Sequence, residues 1–251
     1  MIKEVTMKTI KIKPVDSQQL SYRTKLALIS IIRENGKDGK PFKLPNEDEL
    51  ASKLNVSRNV LRDVLMSLEE MGIVTRRRSK GTIASPYIAN AACRLDTDPV
   101  FSQMLKHAGY ESKVKTLFFG FVNDEATEPT GELLNLVSKK LFYADGVPVA
   151  YIIDRFLNKT DLKDEDIARL SELSHKEILE QVYDTPYAYA LAHIDAILPD
   201  KEVSQYLEID PMTPVVYLRD QGFNFDHELI VVTSTYIRSG TLDLKVLRKS
   251  W

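Results

Sequence analysis

Apolar residues recur at helical spacing in three early segments of this 251-residue chain, and in short alternating runs through most of the rest. The first segment, Leu20 to Glu34, carries Tyr22, Leu26, Ile29 and Ile32 and predicts a helix. A second, shorter helix is expected over Leu50, Ala51 and Leu54. Asn46 follows Pro45 and has Glu49 three positions on, which makes it an N-cap with a capping-box partner. Glu47 and Asp48 fall in its first turn, where the helix dipole favours acids. After a turn at Asn55-Val56, Ser57 offers another N-cap. Leu61, Val64, Leu65, Leu68 and Met71 then recur at spacings of three and four, so one side of this third helix is core. Gly72 ends it.

The opposite side of the third helix carries Arg58, Asn59 and Arg62 in its first turns, the turns that meet base edges when a helix-turn-helix docks on DNA. A guanidinium can contact O6 and N7 of guanine together, discriminating by roughly 1–3 kcal/mol; Asn59 could do the same for adenine or bond a phosphate. Ile73-Val74-Thr75, Arg76-Arg77-Arg78-Ser79-Lys80-Gly81 and Thr82-Ile83-Ala84 read as a hairpin wing with a cationic tip. Ser57, Arg58, Asn59, Arg62, Arg76, Arg77, Arg78, Lys80 and Gly81 are therefore the candidate DNA contacts. Either arginine alone reads equally well as solvated helix surface. Cap, turn, apolar stripe and basic wing in register favour DNA.

Charge sharpens the division. Residues 1–85 hold 17 Lys and Arg against 10 Asp and Glu, a formal +7, whereas the remainder holds 17 against 26, a formal −9. A cationic head on an anionic body suits a polyanion-binding module joined to a unit that stays off DNA. The head is expected over residues 16–85, a linker over 86–96 opening at Ser85-Pro86, and a second domain over 97–251. Composition is that of a soluble globular protein. One cysteine, Cys93, excludes an intrachain disulfide and agrees with a reducing cytoplasm. Met1 to Asp16 has no apolar run of signal-peptide length, and no stretch is long enough to span a bilayer.

The second domain reads as an antiparallel α+β sheet. Its elements are a short helix from Val100 to Gly109, a strand over Val114 to Val122, and two strands, Val137 to Ala144 and Val149 to Phe156, about the hairpin dipeptide Asp145-Gly146. Ser174 caps a helix through Tyr183. Tyr187 to Leu198 is a long strand, Asp200 caps a helix to Leu207, and Val215 to Phe225 with Leu229 to Arg238 form a last hairpin.

His107, His175, His193 and His227 have no ligand-spaced partners, so neither metal nor cofactor is indicated. There is no glycine-rich phosphate loop and no nucleophile elbow. Asp154, Arg155 and Asp195 read as strand charges or pocket lining, and Tyr236 as core or pocket-facing.

The chain resembles the GntR family of bacterial transcription regulators, in the HutC-like subfamily whose C-terminal part is a UTRA ligand-sensing domain. The residues that carry this are Leu44-Pro45, Glu47, Leu50-Ala51, Leu54, Val56-Ser57-Arg58, Leu61-Arg62, Leu68, Gly72-Ile73-Val74, Arg76 and Gly81-Thr82. The C-terminal match rests on Ala144-Asp145-Gly146-Val147-Pro148, Ser174, Leu207-Glu208-Ile209, Pro214-Val215 and Ser234-Thr235-Tyr236. The resemblance implies a winged helix-turn-helix followed by a chorismate lyase-like antiparallel sheet. It further implies a homodimer formed by the C-terminal domains, double-stranded operator DNA as one partner, a small-molecule effector as another, and more commonly release than activation.

Two departures stand out. Where relatives often carry a basic residue after the Glu of this motif, the chain has Asp48. Where sugar-phosphate-responsive relatives have two arginines and Ser-x-Tyr, it has Lys140, Phe142, Ser174 and Lys176, with Ile152 and Ile230 at acidic sugar-contacting positions. The candidate effector set is Lys140, Phe142, Asp154, Ser174, Lys176, Ser234 and Tyr236, and the expected ligand is an anionic metabolite less hydroxylated than an amino-sugar phosphate. The alternative leaves Lys140 and Lys176 as surface lysines and the pocket elsewhere. Two other classes of function are open to this sequence: an enzyme of lyase-like fold with a DNA-binding head, and a winged helix that contacts protein or RNA.

Overall fold

The computed structural model describes residues 17–97, 100–122, 134–157 and 162–249. Met1 to Asp16 lie outside them. Contacts divide the chain into two units, Met1–Ala91 and Ala92–Trp251.

The first unit packs α1 (Ser17–Asn35), α2 (Glu47–Leu54) and α3 (Arg58–Glu70) beside a small sheet of β1 (Phe42–Lys43), β2 (Val74–Arg77) and β3 (Gly81–Ala84) in the order β1-β3-β2. Its core joins Leu28, Ile32, Leu50, Leu61, Leu65, Leu68, Ile73 and Val74. The inner stripe of α1 differs from the expected one. Thr24, Leu28 and Ile32, each four apart, are buried, whereas Tyr22 and Leu26 are exposed. A helix of mixed composition offers two overlapping apolar stripes, and packing against α3 selects the one that also lets Lys25 Nζ donate to Ser67 Oγ at 3.0 Å.

The stretch expected as a linker is structured at both ends. Pro86–Ala89 forms α4 against α1, and the Arg33 Nε–H donates to the Ala89 carbonyl at 2.8 Å. Gly36 makes this approach possible, since a Cβ there would sit 2.0 Å from Pro86 Cγ. Cys93 and Arg94 already belong to the second unit. Cys93 is buried, its carbonyl accepts from Lys245 N at 3.0 Å, and burial pushes its thiol pKa up.

The second unit is built on six antiparallel strands: β4 (Ser112–Phe121), β5 (Leu136–Ala144), β6 (Val147–Phe156), β7 (Tyr189–Ile197), β8 (Val215–Phe223) and β9 (Leu229–Arg238), in the order β4-β5-β6-β9-β8-β7. Asp145 and Gly146 both take positive φ at the β5–β6 turn, as a tight hairpin requires. α5 (Phe101–His107), α6 (Asp164–Leu170) and α7 (His175–Tyr183) lie on one face, where Phe142, Ile152 and Leu218 pack with α5 and Leu136 and Phe156 with α7. α8 (Lys201–Leu207) covers the other face against Leu141, Tyr151 and Val215. Alternation along β5, β6 and β9 thus sends neighbouring side chains into two different cores. β1 and α6 are elements that the apolar pattern did not reveal, because one spans two residues and the other presents only Ile167 and Leu170 to a core.

Candidate functional site

The candidate DNA-contact surface of the first unit is set by two caps. The Asn46 side chain accepts from Glu49 N at 2.9 Å to start α2. The Glu49 carboxylate takes Lys53 at 2.7 Å. Asn55 then adopts φ 54°, Val56 N donates to the Ala51 carbonyl at 3.0 Å, and the Ser57 side chain accepts from Val60 N at 3.3 Å. This turn aims the first turns of α3 outward, with Leu61, Val64, Leu65 and Leu68 buried behind them. Arg58, Asn59 and Arg62 are all exposed.

Neither arginine is unpaired. Arg58 Nε lies 2.9 Å from Asp48 Oδ1, and Arg62 Nε lies 2.7 Å from Glu47 Oε2. Both acids come from the first turn of α2. Asp48, the departure noted above, therefore has a physical role: it pairs with Arg58 at the start of α3. Solvent screens such exposed pairs, so they orient a side chain without fixing it in place.

The wing separates its cations into two kinds. Arg76 is half-buried, with Nε 2.8 Å from Glu69 Oε2, and its backbone N donates to Glu69 Oε1 at 2.7 Å. It ties the wing to the end of α3. Arg77, Arg78 and Lys80 are exposed around a tight turn in which Lys80 N donates to the Arg77 carbonyl. Gly81, at φ 81°, lies against Lys43; a Cβ there would sit 3.0 Å from Lys43 Cε. Lys43 on β1 is thus a fourth exposed cation of the wing, beside Arg77, Arg78 and Lys80; the hairpin pattern does not reveal it because β1 joins the sheet from outside the hairpin.

In the second unit the seven candidate effector residues fall on two faces of the sheet. Lys140, Phe142 and Asp154 point to the α5–α7 face. Lys140 is only 6% exposed and donates through Nζ to the Leu173 carbonyl just ahead of α7. Burial lowers its pKa, partly offset by Asp154, Glu172 and Glu177. Asp154, also buried, accepts from Thr233 Oγ1 at 2.7 Å. Directly across from Asp154 on β5 is Ser138, fully buried, whose Oγ has no hydrogen-bond partner among the described residues. Lys140 is therefore no surface lysine. Ser138 and Thr233 were missed because a lone hydroxyl in a strand carries no pattern of its own.

The other candidates are placed differently. Phe142 packs edge-on against Phe101, ring centroids 5.1 Å apart, and belongs to the α5 core. Lys176 lies over the Tyr187 ring at 5.4 Å. A helix start can offer backbone N–H groups to an anion, and at α7 the chain places its own carboxylate there: Glu177 Oε2 accepts from Ser174 N at 2.8 Å and from Ser174 Oγ at 2.7 Å, which lowers the Glu177 pKa. Ser234 and Tyr236 face α8 on the far side of the sheet. Ser234 Oγ is 3.2 Å from the Tyr217 hydroxyl, and Tyr236 packs with Tyr217 and Tyr151. Burial raises the Tyr236 pKa to about 12. They cannot share a pocket with Lys140, since adjacent strand residues alternate faces. Tyr151 in turn donates to Glu202 Oε1 at 2.7 Å, where Lys139 also binds.

Among the described residues no His, Cys, Asp and Glu cluster could hold a metal ion, and no helix is long and apolar enough to cross a membrane.

A model of the UTRA domain matches residues 113–242, more than half of the chain, and a model of the bacterial regulatory proteins of the gntR family matches residues 41–83. The chain belongs to the GntR family, with a UTRA domain at its C-terminal side. This GntR regulator is 27% identical over 177 residues to the uncharacterised HTH-type transcriptional regulator YurK of Bacillus subtilis, covering 67% of this chain and 70% of that one. It is 55% identical over 40 residues to YcbG of the same organism, another uncharacterised HTH-type regulator, over 16% of this chain and 17% of that one. In fold it is similar to the possible transcriptional regulator YydK of B. subtilis, at a TM-score of 0.68 and 13% identity over 94% of this chain and all of that one. PhnF of Mycobacterium smegmatis superposes at 0.50, with 18% identity over 91% of this chain and 100% of its own. The protein is a DNA-binding transcriptional regulator, and its relatives are regulators, not enzymes.

Proposed function

We propose that this regulator is a homodimeric cytoplasmic repressor. Its two heads grip a near-palindromic duplex through α3 and the wing, and it lets go when an anionic metabolite enters the second unit. Residues 16–85 act as the head and 97–251 as the sensing and dimerising domain. The observation that carries the DNA reading is the outward pair Arg58 and Arg62, each steadied by an acid of α2. Two such helices in a dimer read half-sites about 34 Å, or multiples of it, apart. Arg77, Arg78, Lys80 and Lys43 supply phosphate contacts, while Arg76 braces the wing.

The effector reading rests on Lys140, Ser138 and Asp154 on the α5–α7 face. A buried amine whose charge is disfavoured gains most from an incoming anion. Asp154 and Ser138 beside it suit a ligand that also bears a hydrogen-bond donor, such as a hydroxyl or amine. On this reading the ligand's acid group competes with Glu177 for the start of α7, and displacing Glu177 couples occupancy to the helix. A bound ligand shifts the two head positions only to the extent that it binds the released state better.

The test is a panel of anionic metabolites in thermal-shift and DNA-release assays, with duplexes selected from a randomised pool. Stabilisation that survives in wild type and disappears in Lys140→Ala supports the pocket. No stabilisation by any anion, or an unchanged response in Lys140→Ala, overturns it. Selection without enrichment of any sequence overturns the operator reading.

A further inference from the structure

The two edges of the six-stranded sheet are unlike. β4, at one edge, carries Lys113 and Lys115, has a register shift between Thr116 and Phe118, and is flanked by α5 and α6. These are the features that keep an exposed edge from pairing with another chain. β7, at the other edge, has no register shift against β8 and contains neither proline nor lysine. Every residue from Tyr189 to Ala196 is exposed, including Leu191 at 66% and Ile194 at 49%. Leu198 follows at 54%. A long, largely apolar edge strand is a surface that another strand can pair with; on β7 the Ala196 N–H donates to Asp195 Oδ1 at 2.7 Å, a contact that pairing would exchange.

The order of side chains says which strand. Leu191, His193, Asp195 and Ile197 share one face of β7, and Ala190, Ala192, Ile194 and Ala196 share the other. A two-fold axis perpendicular to the sheet pairs the strand with its own copy antiparallel, each face continuing into itself. With that axis at Ile194, His193 of one copy stands opposite Asp195 of the other, twice, and Leu191 opposite Ile197, twice. On the reverse face Ile194 meets Ile194 and Ala192 meets Ala196. An imidazole N–H donating to a carboxylate and matched apolar flanks are all favourable cross-strand neighbours. Other centres are poorer. An axis at His193 sets Leu191 against Asp195, one at Asp195 sets carboxylate against carboxylate, and one at Ala192 sets Leu191 against His193. Arg219 on β8, beside His193 on the same face, adds a further cation near the two carboxylates.

We infer that β7 pairs with β7 of a second copy about Ile194, joining two sheets into one and fixing the register by reciprocal His193–Asp195 contacts. The inference rests on the homodimer reading and specifies its surface. The first measurement is the mass in solution by light scattering. A monomer at micromolar concentration contradicts the homodimer and this register alike. Given a dimer, single cysteines are introduced and oxidised with copper–phenanthroline; the native Cys93 is buried.

Ile194→Cys forms a covalent dimer, because opposed Cα atoms in an antiparallel pair fall within disulfide reach. Ala192→Cys and Ala196→Cys alone do not cross-link, but mixed together they do. His193→Asp places four carboxylates at the centre and raises the dimer dissociation constant by about tenfold or more. The exchange His193→Asp with Asp195→His restores it. A dimer in which Ile194→Cys stays uncross-linked, or in which His193→Asp has no effect, overturns the β7 register while leaving the homodimer standing.

Discussion

The head and the sheet unit place their functional side chains in different ways. In the head, Arg58 and Arg62 are set by what lies close along the chain: the Ser57 cap, the Asn55 turn, and acids from α2 immediately before. In the sheet unit, Lys140 finds its partner 33 residues away at Leu173, and Asp154 finds Thr233 79 residues away. The head's site is a local code, tolerant of change elsewhere. The Lys140–Ser138–Asp154 cluster proposed to take the effector comes together only when β5, β6, β9 and the start of α7 are in register, so a ligand held there would be coupled to the state of the whole unit.

The largest expected effect breaks the head alone. Leu65→Ala empties the centre of its core, where Leu65 is fully buried, and costs about 2–5 kcal/mol. Hydrogen exchange should show the helices of the head losing protection while β5, β6 and β9 keep theirs. Equal loss in both units would mean that they fold as one. In the sheet unit the matching change is Lys140→Met.

The Lys140 pKa is lowered on folding, so between that value and its unfolded value near 10.4 the unfolded chain binds more protons and stability rises with pH; below it the folded state carries the cost of a buried charge. Lys140→Met removes that cost, so it raises the melting temperature at neutral pH and lacks the rise in alkaline solution. It also abolishes stabilisation by the anionic effector. A variant less stable than wild type at neutral pH would mean that the bond to Leu173 outweighs the burial.

This contrast also explains what the sequence disclosed. The caps at Asn46, Ser57 and Ser174 and the Asp145-Gly146 turn are short-range signals and stand as expected, except that the Glu49 carboxylate turns to Lys53 instead of closing a capping box on Asn46. The misreadings concern faces. The sequence pattern groups Ser234 and Tyr236 with Lys140, yet one residue of offset in β9 decides which core a side chain enters, and only pairing with β6 fixes it. Tyr22 and Leu26 fit an apolar stripe but are exposed, because composition alone does not choose between adjacent stripes of α1. Glu177 at the start of α7 fits the capping-box pattern, but its competition with a ligand emerges only with Lys140 beside it.

Two smaller effects sharpen the account of the head. Asn46→Ala removes the α2 cap, at a cost of about 1 kcal/mol by denaturant unfolding. Asp48→Asn frees Arg58 of its partner and removes a charge that repels phosphate. Binding to random duplex should strengthen roughly two- to fivefold, in keeping with the about 0.2–1 kcal/mol of an exposed ion pair, while the ratio of selected to random affinity falls. An unchanged ratio would show that Asp48 does not position Arg58.

The central claim is that Arg58 and Arg62 read base edges while the wing holds phosphates. Titrations of wild type, Arg58→Ala and Arg77→Ala against the selected duplex and a random one, across a salt series, test it most directly. Arg58→Ala should lose about 1–3 kcal/mol on the selected duplex and little on the random one. Arg77→Ala should weaken both alike and lower the salt slope by about 1. Equal losses on both duplexes for Arg58→Ala would contradict the account.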